Sequence, residues 1–121
     1  MPLKAAAVEI VEPEVERPRA APGGGAGFHD LLGRRFAISV EIDPPRGLNL
    51  ERYVQSAIYL KAKGADAINV ADSPLARPRM SPGAFCHILQ RDAGVEAILH
   101  MSCRDRNLLA MQSELMGAHA L

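Results

Sequence analysis

The sequence predicts an α/β fold, namely the first three βα units of a (β/α)8 TIM barrel preceded by a disordered extension. Three observations carry this. From Phe28 onward, runs of apolar alternation at period two take turns with runs at helical period. The resulting β-α-β-α-β-α order implies parallel strands joined by right-handed helical crossovers. The face opposite each apolar stripe is small or polar in the first two strands, which suits a barrel interior. Both faces of a doubly wound sheet meet helices and read more continuously apolar. A complete barrel takes about 250 residues, and the 121 residues here supply three units of eight.

Residues 1–27 include "VEPEVERPRAAPGGGAG", rich in Pro, Glu, Ala and Gly and poor in residues that fill a core. That composition predicts a disordered extension or linker. The glycine run lacks both a preceding strand and the GxGxxG spacing of a dinucleotide loop. Residues 28–121 form the folded part. "FHDLLGR" predicts a short lead-in helix. "RFAISVEID" predicts the first strand, with Phe36, Ile38, Val40 and Ile42 on one face and Ala37, Ser39, Glu41 and Asp43 on the other.

Pro44 and Pro45 stop that strand. Asn49 can cap a helix through "LERYVQSAIYLKAKG", and Gly64 suits its end. "DAINVAD" predicts the second strand. Ser81 as cap with Pro82 at the first helical position opens the second crossover helix, and Gly94 closes it. "VEAILHMSC" predicts the third strand. "DRNLLAMQSELMGAHAL" predicts the third helix, with Asp105 as its cap.

Bulk properties exclude several function classes. Charges balance to zero, so there is no basic footprint for nucleic acid, and the absence of Trp argues against a base-stacking platform. No stretch approaches the ~18 apolar residues of a membrane span, and the start lacks a secretory layout. Two cysteines make no disulfide framework. A soluble cytoplasmic protein is expected.

Reactive residues of parallel α/β folds gather at the C-terminal ends of strands. Here those ends read "SVEIDPPRG", "NVADSPLARPR" and "HMSCRDRN", all polar and charged, whereas the opposite ends are plain. Glu41 points away from the helix-facing stripe. Part-buried there, a carboxyl has its pKa raised and can act as a general acid, unless a nearby Arg pairs with it. Asp43 lies nearer solvent and reads as a turn acceptor or ligand. Asp72, with Arg77 and Arg79, reads either as a solvated loop or as recognition of an anion or carboxylate. His100 ends the third strand, with Ser102 on its face, and is either packed or reactive. Cys86, His87, His100 and Cys103 lack ligand spacing, so no metal is expected.

Together, "SVEIDPPRG", "DAINVADSPLARPRMSP" and "ILHMSCRDRNLLAMQSELMGAHAL" resemble the flavin-dependent 5,10-methylenetetrahydrofolate reductases over residues 34–121. The likeness is closest to the branch fused behind a homocysteine methyltransferase, and "CRDRNLLAMQSELMGAHAL" is its most specific run. The resemblance implies a barrel holding FAD, with NADH or NADPH as hydride donor. Its reaction reduces methylenetetrahydrofolate to methyltetrahydrofolate for methionine synthesis.

The family's catalytic acid falls on Glu41, and its flavin-side histidine on His100. A flavin-contacting threonine falls on Ala71, a departure. Asp43 and Asp72 are the expected substrate-side carboxylates. The family's Gly-Asp motif after a fourth strand has no counterpart here, so the chain reads as a fragment, inactive alone. It would pair with the rest of its barrel or with copies of itself. A non-catalytic half-barrel module, or another folate or corrinoid methyltransferase barrel, are the alternatives.

Overall fold

Residues 27–121 are described by a computed structural model. Apart from Gly27, the extension expected over residues 1–27 lies outside the described residues. The elements run α1 (Phe28–Leu31), β1 (Ser39–Ile42), α2 (Glu51–Ala62), β2 (Ala67–Val70), α3 (Pro82–Ile88), β3 (Glu96–Leu99) and α4 (Leu108–Ala120). A π-helical turn, Leu89–Ala93, extends α3.

The three strands form one parallel sheet in the order β1-β2-β3. Ser39 and Glu41 stand opposite Ala67 and Asn69, which in turn face Glu96 and Ile98. Consecutive order in a single direction, with right-handed crossovers, sends both connecting helices to the same side. The packing agrees. Ala57 of α2 and Phe85, Cys86 and Leu89 of the α3 arm bury against Ile68 and Val70, with Val40, Ile42, Ala97 and Leu99 along the margin. The other face carries Ser39, Glu41, Ala67, Asn69, Glu96 and Ile98; among the described residues no helix packs across it, and α1 touches only its lower end, where the Phe28 N–H donates to Glu96 Oε1 at 3.4 Å. A sheet wound on one side only is what consecutive barrel units give, and one half of a doubly wound sheet gives the same arrangement.

Most boundaries follow local chemistry. The N-cap of α2 is Leu50, not Asn49 as expected, although Asn49 Oδ1 accepts the Glu51 N–H at 3.2 Å from one residue further out. Gly64, at φ +100°, and Gly94, at φ +62°, take the left-handed turns that end α2 and the α3 arm. Ser81 and Pro82 open α3 as expected, although the Ser81 hydroxyl makes no cap bond.

Three further details differ from expectation. Phe36 and Ile38 precede the strand and are exposed. The Asp66 side chain takes the Ile38 N–H at 2.9 Å while the Ile38 carbonyl accepts the Asp66 N–H at 2.8 Å, so a side chain replaces half of the backbone pairing there. The cap of α4 is Asn107, whose Oδ1 accepts the Ala110 N–H at 2.8 Å. Asp105 instead pairs with its neighbour Arg104 at 2.8 Å. Finally, α4 has no buried residue, and Leu108, Leu109, Leu115 and Met116 stand in solvent.

Candidate functional site

Strand alternation continued past the ladder places the expected residues in rows on the uncovered face. Glu41, Asn69 and Ile98 share one row. One step further, the same alternation brings Asp43, Ala71 and His100 level at the strand ends. The His100 N–H donates to the Val70 carbonyl at 3.1 Å, which keeps this row in register with β2. Below, Asn69 Nδ2 donates to Ser39 Oγ at 2.9 Å across β1 and β2. Glu41, Ala71 and His100 thus lie on one face and toward one end, as the sequence predicts.

Their environments depart from it in part. Glu41 is exposed, not part-buried, and makes no ion pair among the described residues. Nothing stands over the open face in these residues, so the desolvation expected there is not supplied by this segment alone. Asp43 is the more sheltered of the two acids. Its Oδ2 receives Arg79 Nη2 at 3.0 Å, and Arg79 Nη1 donates to the Pro44 carbonyl at 2.8 Å. Arg79 Nε is buried without a hydrogen-bond partner among the described residues. Pro44 and Pro45 are fully buried, and the Pro45 carbonyl accepts the Met80 N–H at 2.9 Å. The proline pair therefore serves as the seat on which the β2–α3 loop rests. Beside it, Glu41, Asp43 and Arg79 border a cleft of about 510 Å³ against Arg52, Tyr53 and Ser56 of α2.

Asp72 is the buried carboxylate of the site, its side chain 3% exposed. Oδ2 accepts the Ser102 N–H at 2.7 Å and pairs with Arg106 Nη1, while Oδ1 accepts the Ser73 hydroxyl at 3.1 Å. Burial pushes the Asp72 carboxyl up. The Arg106 guanidinium, the Ser102 N–H and the Ser73 hydroxyl together outweigh it and hold the group below its ordinary value. An acceptor engaged this fully holds loops together, so its expected part in substrate recognition is at most indirect. The sequence places Asp72 in one loop with Arg77 and Arg79. The structure gives Arg79 to Asp43, leaves Arg77 exposed and brings Arg106 from the next loop. The "CRDRN" run was the available signal for Arg106, because a carboxylate at a strand end that becomes buried demands a cation.

The upper end of the row holds one small and one polar side chain. Ala71 is buried and presents only a methyl, and His100 is exposed beside it with ring nitrogens able to donate or accept. Among the described residues no group of His, Cys, Asp and Glu is clustered to hold a metal ion, and no helix is long and apolar enough to cross a membrane.

The sequence model of the methylenetetrahydrofolate reductase family matches residues 28–121. The chain belongs to the methylenetetrahydrofolate reductase family. The match takes in α1 as well as all three βα units, so the lead-in helix is part of the family region. Comparison with curated proteins and with solved structures gives no match.

Proposed function

We propose that residues 28–121 are the N-terminal portion of a (β/α)8 barrel that reduces 5,10-methylenetetrahydrofolate to 5-methyltetrahydrofolate in the cytoplasm. The carrying observation is the alignment of Glu41, Ala71 and His100 on the one sheet face that no helix covers, in a member of this family. FAD, when bound, accepts hydride from NADH or NADPH and supplies it to the folate. Ala71 leaves room for the ring, and His100 offers it a hydrogen bond at the rim. Asn69, steadied by Ser39, lines the floor between them.

Glu41 is the general acid in this reading. It holds a proton for the folate N10, so that the bond from N10 to the bridging methylene carbon can break and the N5 iminium carbon left behind can take the hydride. Exposed and free of a cation here, it gains the desolvation that an acid needs only when the remaining strands close over it. Asp43 stays one step above, tied to Arg79, and shapes the mouth of the pocket.

In the complete FAD-loaded barrel, Glu41→Gln is expected to leave reduction of the flavin by NAD(P)H near its original rate. Folate reduction should fall by about 10²–10⁴-fold, the range for loss of a general acid. Stopped-flow measurement of the two half-reactions decides this. Equal loss in both would assign Glu41 a structural part.

The uncovered face and the two outer strand edges require a neighbour, because unpaired edges and half-open sheets do not persist alone. The neighbour is the rest of the barrel or a second copy, so the chain by itself should not turn over. Sedimentation velocity across a concentration series is expected to show association. A well-folded monomer at every concentration would contradict it.

A further inference from the structure

The rims of the three units are tied to one another by a repeating device. Asp43, at the end of β1, is held by Arg79 from the loop after β2. Asp72, at the end of β2, is held by Arg106 from the loop after β3. Each carboxylate thus waits for an arginine one unit later. The second tie is the more enclosed, with Arg106 19% and Asp72 3% exposed. It is also closed on itself. Asp72 accepts the Ser102 N–H, and Arg106 Nη1 donates both to Asp72 and to the Ser102 carbonyl at 2.7 Å. Both main-chain groups of Ser102 are therefore engaged, two residues beyond His100.

The backbone next to Asp72 is held against its preference. Ser73, Leu75 and Ala76 all have left-handed φ angles, at 45°, 58° and 53°. None is a glycine, and such conformations persist where the surroundings over-determine them. The surroundings do so here at both ends of the loop, through Asp72 on one side and Arg79 and Met80 on the other.

We propose that Arg106 is a positioning residue: through Asp72 and the peptide groups of Ser102, it fixes the His100–Ser102 segment against β2 and so sets His100 on the ligand-facing row. Lysine should replace it only in part, since its ammonium rides on a flexible stem, whereas the planar guanidinium fixes both Nη1 hydrogens, one toward the carboxylate and one toward the carbonyl. The relevance of His100 rests on the reductase reading above; the clasp itself does not.

The test uses the full chain, isotope-labelled for NMR, unmodified and as Arg106→Gln and Arg106→Lys. In R106Q the Ser102 amide should exchange with solvent about tenfold to hundredfold faster and the His100 ring signals should move, while amides within β2 keep their protection. R106K should recover only part of the Ser102 protection. Uniform loss of protection across the sheet would make Arg106 a general stabiliser and overturn the proposal. So would an unchanged Ser102 rate, or a Ser102 amide unprotected in the unmodified chain.

In the FAD-loaded reductase carrying this sequence, R106Q should retain the flavin but shift its visible absorption bands. Retained flavin with unmoved bands would overturn the positioning role and leave the reductase reading standing. A complete barrel carrying this sequence unmodified that binds no FAD would sink the reductase reading, and the Ser102 exchange would still decide the clasp.

Discussion

The two faces of the sheet come from the same three four-residue strands and differ in almost every other respect. On the covered face, Ile68 and Val70 are sealed against Ala57, Phe85 and Leu89. Tyr53 meets Phe85 edge to face, with centroids 5.8 Å apart and planes at 89°. On the open face, Ser39, Glu41, Asn69 and Glu96 stand in a polar field with a single cross-strand hydrogen bond between side chains. One face supplies cohesion and the other carries the polar side chains that the reductase proposal uses. The ion pairs of the rim lie at the strand ends and join the loops that both faces require.

Substitutions can break this division of labour or sharpen it. The largest effect is expected on the covered face. Phe85→Ala should destabilise the domain by about 3–5 kcal/mol, because Phe85 is fully buried and its removal leaves a cavity next to Tyr53. Denaturant unfolding of a stably assembled form measures this, and a loss under one kcal/mol would mean the α3 arm is not a core element.

The rim comes next. Asp72→Ala should cost about 3 kcal/mol, the low end for breaking a buried pair, since Arg106 keeps part of its side chain in water. The same group gives an acid limb. Its folded pKa is lowered, so its share of stability is complete above the ordinary carboxylate value of 3.8 and is lost as pH falls below that, through the depressed value. Unfolding at a series of pH values should show this limb in the unmodified protein and a weaker one in D72A. Identical acid profiles would argue that the tie contributes nothing.

The smallest effect belongs to the open face. Glu41→Gln should change stability by no more than about 0.5 kcal/mol, as expected for an exposed side chain without partners. A large loss there would erase the distinction between the faces.

What the sequence reveals follows the same line. Alternation alone separates Val40 and Ile42 from Ser39 and Glu41, and Gly64, Gly94, Ser81 and Pro82 mark helix ends through purely local requirements. Phe36 and Ile38 fit the same alternation yet fall outside the strand, because Asp66, well down the chain, captures the Ile38 N–H. The rim pairing is hidden for a similar reason. Which arginine reaches Asp72 depends on the path of a loop with three left-handed residues, and no spacing rule encodes that path. Asn107 and Asp105 are both competent caps. The choice of Asn107 follows once Arg104 engages Asp105 and Arg106 is drawn to Asp72.

The staggered rim also imposes a schedule on a chain leaving the ribosome. Asp43 stays without its cation until the loop bearing Arg79 has emerged, and Asp72 until the loop bearing Arg106 has followed. Sheet pairing can proceed strand by strand, but each mouth loop remains unlatched for the length of one more unit. The rim at the strand ends should therefore be the last part to become rigid during synthesis and the first to loosen when any later unit is lost.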